Sequence, residues 1–164
     1  MGGQIAYNND IMVMAATIAV IIYIVEVIAC WKIFPKAGEE SWKSLIPIYN
    51  NYLLFKIAGM RNWFWWMLGI AFVSGLIVSA AGFEPNAIRT NSFVGLNLFG
   101  AIVYLIAGVI EAAIMILYCV RLSKAFRHDA GFALGLIFLT PIFLLILGFG
   151  SSKYDKKIVK TWEK

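Results

Sequence analysis

Histidine occurs once in this chain, cysteine twice, proline four times and acidic residues nine times in 164 positions. Each scarcity excludes something. Two thiols and the lone His128 are too few ligands for a closed metal site, and no cofactor is implied. Cys30 and Cys119 each end an apolar run and each precede a basic residue by two positions. Both therefore fall on the face expected to be reducing, which argues against a disulfide framework. They read as buried or interfacial thiols of no special reactivity. Charged residues are sparse as well, 14% against about 25% in soluble domains. The net charge of +5 does not imply nucleic acid, because the basic residues flank apolar segments instead of forming a binding face. No nucleophilic, metal or phosphate-binding motif is present, so the chain is not expected to be an enzyme.

Apolar sequence is what the chain has in abundance. Hydrophobic residues make up 62% of it and the mean hydropathy is +0.82, which implies an all-α integral membrane protein built as one domain over 1–164. A spanning helix needs about 20 apolar residues, and 11–31, 63–83 and 98–120 qualify. The first run has no basic residue before it and no small-residue cleavage site after it, so it reads as a retained span and not as a signal peptide. The fourth candidate, 132–149, is short, and Thr140-Pro141 interrupts its centre.

Lysine and arginine arbitrate, because cytoplasmic loops collect them. The first connection carries Lys32, Lys36, Lys43, Lys56 and Arg61, and the third Arg121, Lys124 and Arg127. The tail 151–164 has five lysines, while Arg89 is alone in the second connection. If 131–150 is a re-entrant segment, thirteen basic residues face one way and Arg89 the other. Four full spans, the alternative, split them eight to six. The expected arrangement is three transmembrane helices in the inner, cytoplasmic membrane, with the N-terminus outside and the C-terminus cytoplasmic. The basic tail is expected along the inner leaflet, attracted by anionic lipid, or else as a disordered solubilising tail.

The segment "SWKSLIPIYNNYLLFKIAG", 41–59, is too apolar for a loop and too polar to cross. Its polar positions do not share one helical face. It is expected as a packed interfacial element on the cytoplasmic side, with Pro47 in the first turn of a short helix and Asn50 and Asn51 bonded to their neighbours. Trp42 and Tyr49 belong to the same motif. A faint repeat links "CWKIFPKAG…LIPIY" to "CVRLSKAFRHDAG…LTPIF", pairing Gly38 with Gly131 and Pro47 with Pro141.

Two regions, about Trp31 to Arg61 and Leu122 to Tyr154, resemble an uncharacterised family of small multi-pass bacterial and archaeal membrane proteins. A similar module precedes the catalytic part of some bacterial signal peptidase I chains. The most specific pieces are Lys36-Ala37-Gly38, the Trp42…Ile46-Pro47-Ile48-Tyr49-Asn50 string and Leu147-Gly148-Phe149-Gly150. The family's usual Pro-x-Val-Asn break is replaced here by extra sequence at about 73–97. The resemblance implies an internal C-terminus and brings no catalytic residues. Ser44 and Lys56 have the residue types of a peptidase dyad, but nothing in the sequence places them together.

Glu26 and Glu111 are the candidate intramembrane polar contacts. A carboxylate in a span is costly and marks helix glue, a partner's basic residue or an ion pathway. Gly108 and Ala112 flank Glu111, and Ala71, Gly75 and Ser79 make a second stripe of small residues that permits close helix approach within the chain or in a homo-oligomer. Two functions follow as expectations. The first is a non-enzymatic scaffold or accessory subunit of an envelope or secretion-related complex, with a membrane-protein partner. The second is a small channel or transporter that uses the glutamates.

Overall fold

The computed structural model describes residues 2–80 and 98–162, and among them every regular element is helical. The helices are α1 (Gly2–Ala37), α2 (Pro47–Ile57), α3 (Arg61–Ala80), α4 (Leu98–Ala125), α5 (Ala130–Phe138), α6 (Thr140–Phe149) and α7 (Lys156–Trp162), with a 3-10 turn at Ser41–Leu45 before α2. Three helices are long and apolar enough to cross a membrane: Asp10–Ala37, Arg61–Ala80 and Gly100–Ala125. They match the three spans expected from hydropathy. The last three residues of the second expected span, the connection with Arg89, and Glu163 and Lys164 lie outside the described residues.

α1 and α4 end alike. Residues 29, 30, 33 and 34 of α1 are buried, and so are 118, 119, 122 and 123 of α4, a constant offset of 89 positions. Each helix closes with the same wide hydrogen bond, Glu39 N–H to Phe34 O at 2.9 Å and His128 N–H to Ser123 O at 3.0 Å. That motif needs one residue with positive φ: Gly38 at +84° in the first case and Arg127 at +60° in the second. The structural counterpart of Gly38 is thus Arg127. Gly131, which the sequence pattern paired with it, lies in the first turn of α5.

After each of these ends the chain turns back alongside the helix it has left. The segment 39–56 climbs through the 3-10 turn until Tyr23 Oη donates to Leu45 O at 3.0 Å. Tyr23 lies 14 residues before Ala37, roughly 21 Å along a helix axis. α2 then returns, and the mouth closes where Lys56 Nζ meets Glu39 Oε1 at 2.7 Å. The segment 41–59, expected as a packed element, is packed against α1 through the 3-10 turn and against α3 through α2. Ser44 and Asn50 are buried while Ile46, Pro47 and Ile48 face outward, so the apolar tip and polar interior suit a segment packed lengthwise between helices.

The second hairpin runs from Asp129 to Ser152. α5 ends at Leu139, whose φ of −132° and ψ of 45° break the helix, and Pro141 occupies the first turn of α6, where its missing N–H costs nothing. Phe132 and Phe143 meet edge to face across the arms, 5.0 Å between ring centroids. At the mouth, His128 Nε2 lies 2.7 Å from Ser152 Oγ and Arg127 pairs with Asp155 at 2.6 Å. α6 lies against α1, close enough that Gly148 abuts the Ala29 carbonyl. Lys36 Nζ donates to Leu147 O and Gly150 O, both at 2.7 Å, capping the end of α6.

The two hairpins concentrate the core at one end of the molecule. Phe34, Leu53, Met60, Leu122, Phe126, Leu144 and Leu147 are fully or almost fully buried there. The first half of the α1 span is exposed along its length. α7 closes the packed end over α4, with Val159 buried and Asp155 N–H bonded to Ala125 O at 2.7 Å. Within the described tail, Lys156–Trp162 is therefore a docked helix.

Candidate functional site

Glu26 and Cys30 stand one turn apart on α1, facing the first hairpin. Asn50, 1% exposed, hydrogen-bonds the Cys30 thiol. Its amide oxygen has no hydrogen-bond partner, and neither does the hydroxyl of fully buried Ser44. Buried polar atoms left unbonded cost on the order of 1–3 kcal/mol each. Tyr118 of α4, buried and stacked on Phe55 with 4.6 Å between centroids, lies within electrostatic range of Cys30, Cys119 and Glu26. The fold thus brings together a carboxylate, a carboxamide, two thiols and a phenol that are scattered over 93 positions of sequence.

The other predicted residues are dispersed. Glu111 is half-buried on α4 and, among the described residues, pairs with no cation. Trp42 is exposed and its indole N–H donates to Glu40. Tyr49 stacks on Tyr52 at 5.7 Å, and Asn51 donates to Pro47 O at 3.2 Å. Ser44 and Lys56 are not brought together as a dyad: the serine is buried inside the hairpin and the lysine closes its mouth on Glu39. All five small residues, Ala71, Gly75, Ser79, Gly108 and Ala112, face outward, and a side chain added at Gly75 or Gly108 would meet nothing within 4 Å.

The mouths carry the charges that sequence reasoning passed over. The hydrogen bond from Lys56, helped by Lys43, holds the Glu39 carboxyl below its ordinary value. The hydrogen bond from Arg127 does the same for Asp155, with two backbone N–H groups of α7. These pairs join positions 17 and 28 apart in sequence, and no local pattern announces them. The shared offset of Cys30 and Cys119 was the readable signal that two hairpins follow two equivalent helix ends.

A family model described as a family of unknown function, DUF5684, matches residues 42–157. It begins inside the first hairpin and ends in α7. No curated protein and no solved structure matches the chain.

Proposed function

The chain belongs to DUF5684, a family of unknown function, and on that premise we propose that it is a non-enzymatic scaffold or accessory subunit of a membrane complex. The observation that carries this reading is the outward placement of Ala71, Gly75, Ser79, Gly108 and Ala112. Glycine is used inside the fold where helices touch, at Gly148. Small residues on the bare faces of α3 and α4 leave room for a helix that is not part of this chain. Likeness to the module ahead of signal peptidase I supports a setting in secretion or the envelope.

In this reading both hairpins re-enter the membrane from the cytoplasmic side, with the N-terminus outside. Their meeting ends support it, as does the gathering of Lys36, Lys56, Arg61, Arg121 and Arg127 around one end of the bundle. Non-helical backbone at that depth is tolerable because it lies against protein. Lys160→Cys is expected to react with an impermeant thiol reagent only after permeabilisation; labelling of intact cells would sink the orientation.

The scaffold role is tested by purifying the full chain in mild detergent with its stoichiometric partner. Gly75→Leu and Gly108→Leu are expected to release that partner at least tenfold without altering the protein's own unfolding. Retention by both variants would overturn the reading. A second reading, a small channel or transporter, is favoured by the buried Asn50 and by Glu26, both close to Cys30. Proton or ion flux in liposomes that vanishes with Glu26→Gln or Glu111→Gln would select it.

A further inference from the structure

Two recesses lie in line on the α3–α4 pair. The first, about 370 Å³, sits at the packed end between the start of α3, the end of α4 and α7, and is lined by Arg61, Asn62, Trp63, Arg121 and Trp162. Arg121 is fixed in place: its Nη1 donates to Gly59 O at 3.3 Å and its guanidinium lies 5.4 Å from the centre of the Trp162 ring. Among the described residues no carboxylate pairs with Arg61 or Arg121. A neighbouring recess shares Arg61 and adds Lys56, Lys156 and Lys160. Among the described residues, Glu39 is the one acid lining these two recesses, and it is engaged by Lys56 and Lys43.

The second recess, about 450 Å³, is a groove between α3 and α4. It runs from Trp66 past Gly69 and Val73 to Ile77, facing Ala107 and Ile110. Its single hydroxyl, on Ser74, is turned back to Ala71 O at 3.2 Å. Helical periodicity puts the two recesses on one face. Asn62, Trp66, Gly69, Val73 and Ile77 follow each other at three- or four-residue steps, and Arg121 stands three turns beyond Ile110. From Trp66 to Ile77 the groove is roughly 16 Å long, about the hydrocarbon depth of one leaflet. The exposed rings of Trp63, Trp65 and Trp66 mark the level at which headgroups begin.

We propose that this face is a phospholipid site, with a phosphate-bearing anionic headgroup between Arg61 and Arg121 and one acyl chain along the groove from Trp66 to Ile77. The arginines supply the planar donors that phosphate oxygens accept. Gly69 and Ala107 hold the groove open by their small size. The stripes Ala71-Gly75-Ser79 and Gly108-Ala112 lie on the faces of the same two helices turned away from this groove, so the site does not depend on the scaffold role.

The test uses the full chain in mild detergent, with phosphatidylglycerol or phosphatidylcholine added and retention read by native mass spectrometry. One phosphatidylglycerol is expected to be held at least tenfold more strongly than phosphatidylcholine. Arg61→Gln, at an exposed position, is expected to lower that preference fivefold or more. Gly69→Leu fills the groove where an added side chain meets nothing within 4 Å, and is expected to weaken retention of lipid while leaving binding of glycerol phosphate unchanged. Equal retention of the two lipids, or no effect of Gly69→Leu on retention, would overturn the proposal. So would displacement of the lipid by inorganic phosphate at equal concentration, which would make the recess a site for a free anion.

Discussion

The two hairpins share a plan and differ in what fills them. Each follows a helix that ends in the same hydrogen-bonded turn, each is closed at its mouth by polar pairs, and in each a proline starts the returning arm. The arms of the second, α5 and α6, are apolar but for Thr140, whose hydroxyl donates to Leu136 O, and are held by Phe143 against Gly135 and Phe132. The first climbs through only a short 3-10 turn and buries Ser44 and Asn50, two of whose oxygens have no partner. Similar paths are therefore stabilised differently. Packing holds the second hairpin, whereas the first also buries two polar side chains, Ser44 and Asn50.

The largest break in this comparison is expected at Gly148. A Cβ there would sit 2.8 Å from the Ala29 carbonyl oxygen, so Gly148→Ala must push α6 off α1. Overpacking of this kind costs roughly 1–3 kcal/mol, which unfolding of the detergent-solubilised protein will measure. Gly75→Ala, with open space around it, serves as the control and is expected to change nothing. If both behave alike, α6 is not packed against α1 as described.

Gly38 and Arg127 offer the next step. Nothing lies within 4 Å of a Cβ added at Gly38, so Gly38→Ala isolates the conformational cost of positive φ, about 1–2 kcal/mol. The same cost is already present in the native second turn, at Arg127. An unfolding midpoint unchanged by Gly38→Ala would remove the equivalence of the two helix ends.

Asn50→Leu removes one of the two buried polar side chains of the first hairpin and leaves Ser44. Removing an under-bonded buried amide is expected to leave stability unchanged or raise it by up to about 1 kcal/mol, while any flux or partner binding that uses the cluster is lost. A marked loss of stability would mean that Asn50 is a structural residue after all.

The smallest effect concerns pH. Glu39 and Asp155 are held below their ordinary carboxylate values by Lys56 and Arg127. The depressed native values mean that both contributions are fully present above the ordinary carboxylate range and are lost as pH falls through the native values. Both mouths are solvent-accessible, so the effect is screened. Hydrogen exchange of the amides of 38–40 and 152–155 is expected to accelerate in acid while the spans remain protected. Acceleration at only one mouth would separate the hairpins.

Hydropathy was enough to locate the three span-length helices, because a bilayer-length apolar run is a local property, and Pro141 was enough to mark the break between α5 and α6. Lysine and arginine positions were readable for the same reason. The sequence could not say that 41–59 climbs back along α1, since that path is fixed by Tyr23 meeting Leu45 and by Glu39 meeting Lys56, contacts that have no sequence period. Nor could it tell whether Ala71, Gly75 and Ser79 face inward or outward, because helical spacing is the same on either face. Asn50 and Cys30 became one site only when α2 returned beside α1. Segment type follows from local composition, but which polar atoms end up together depends on where distant helices leave room between them.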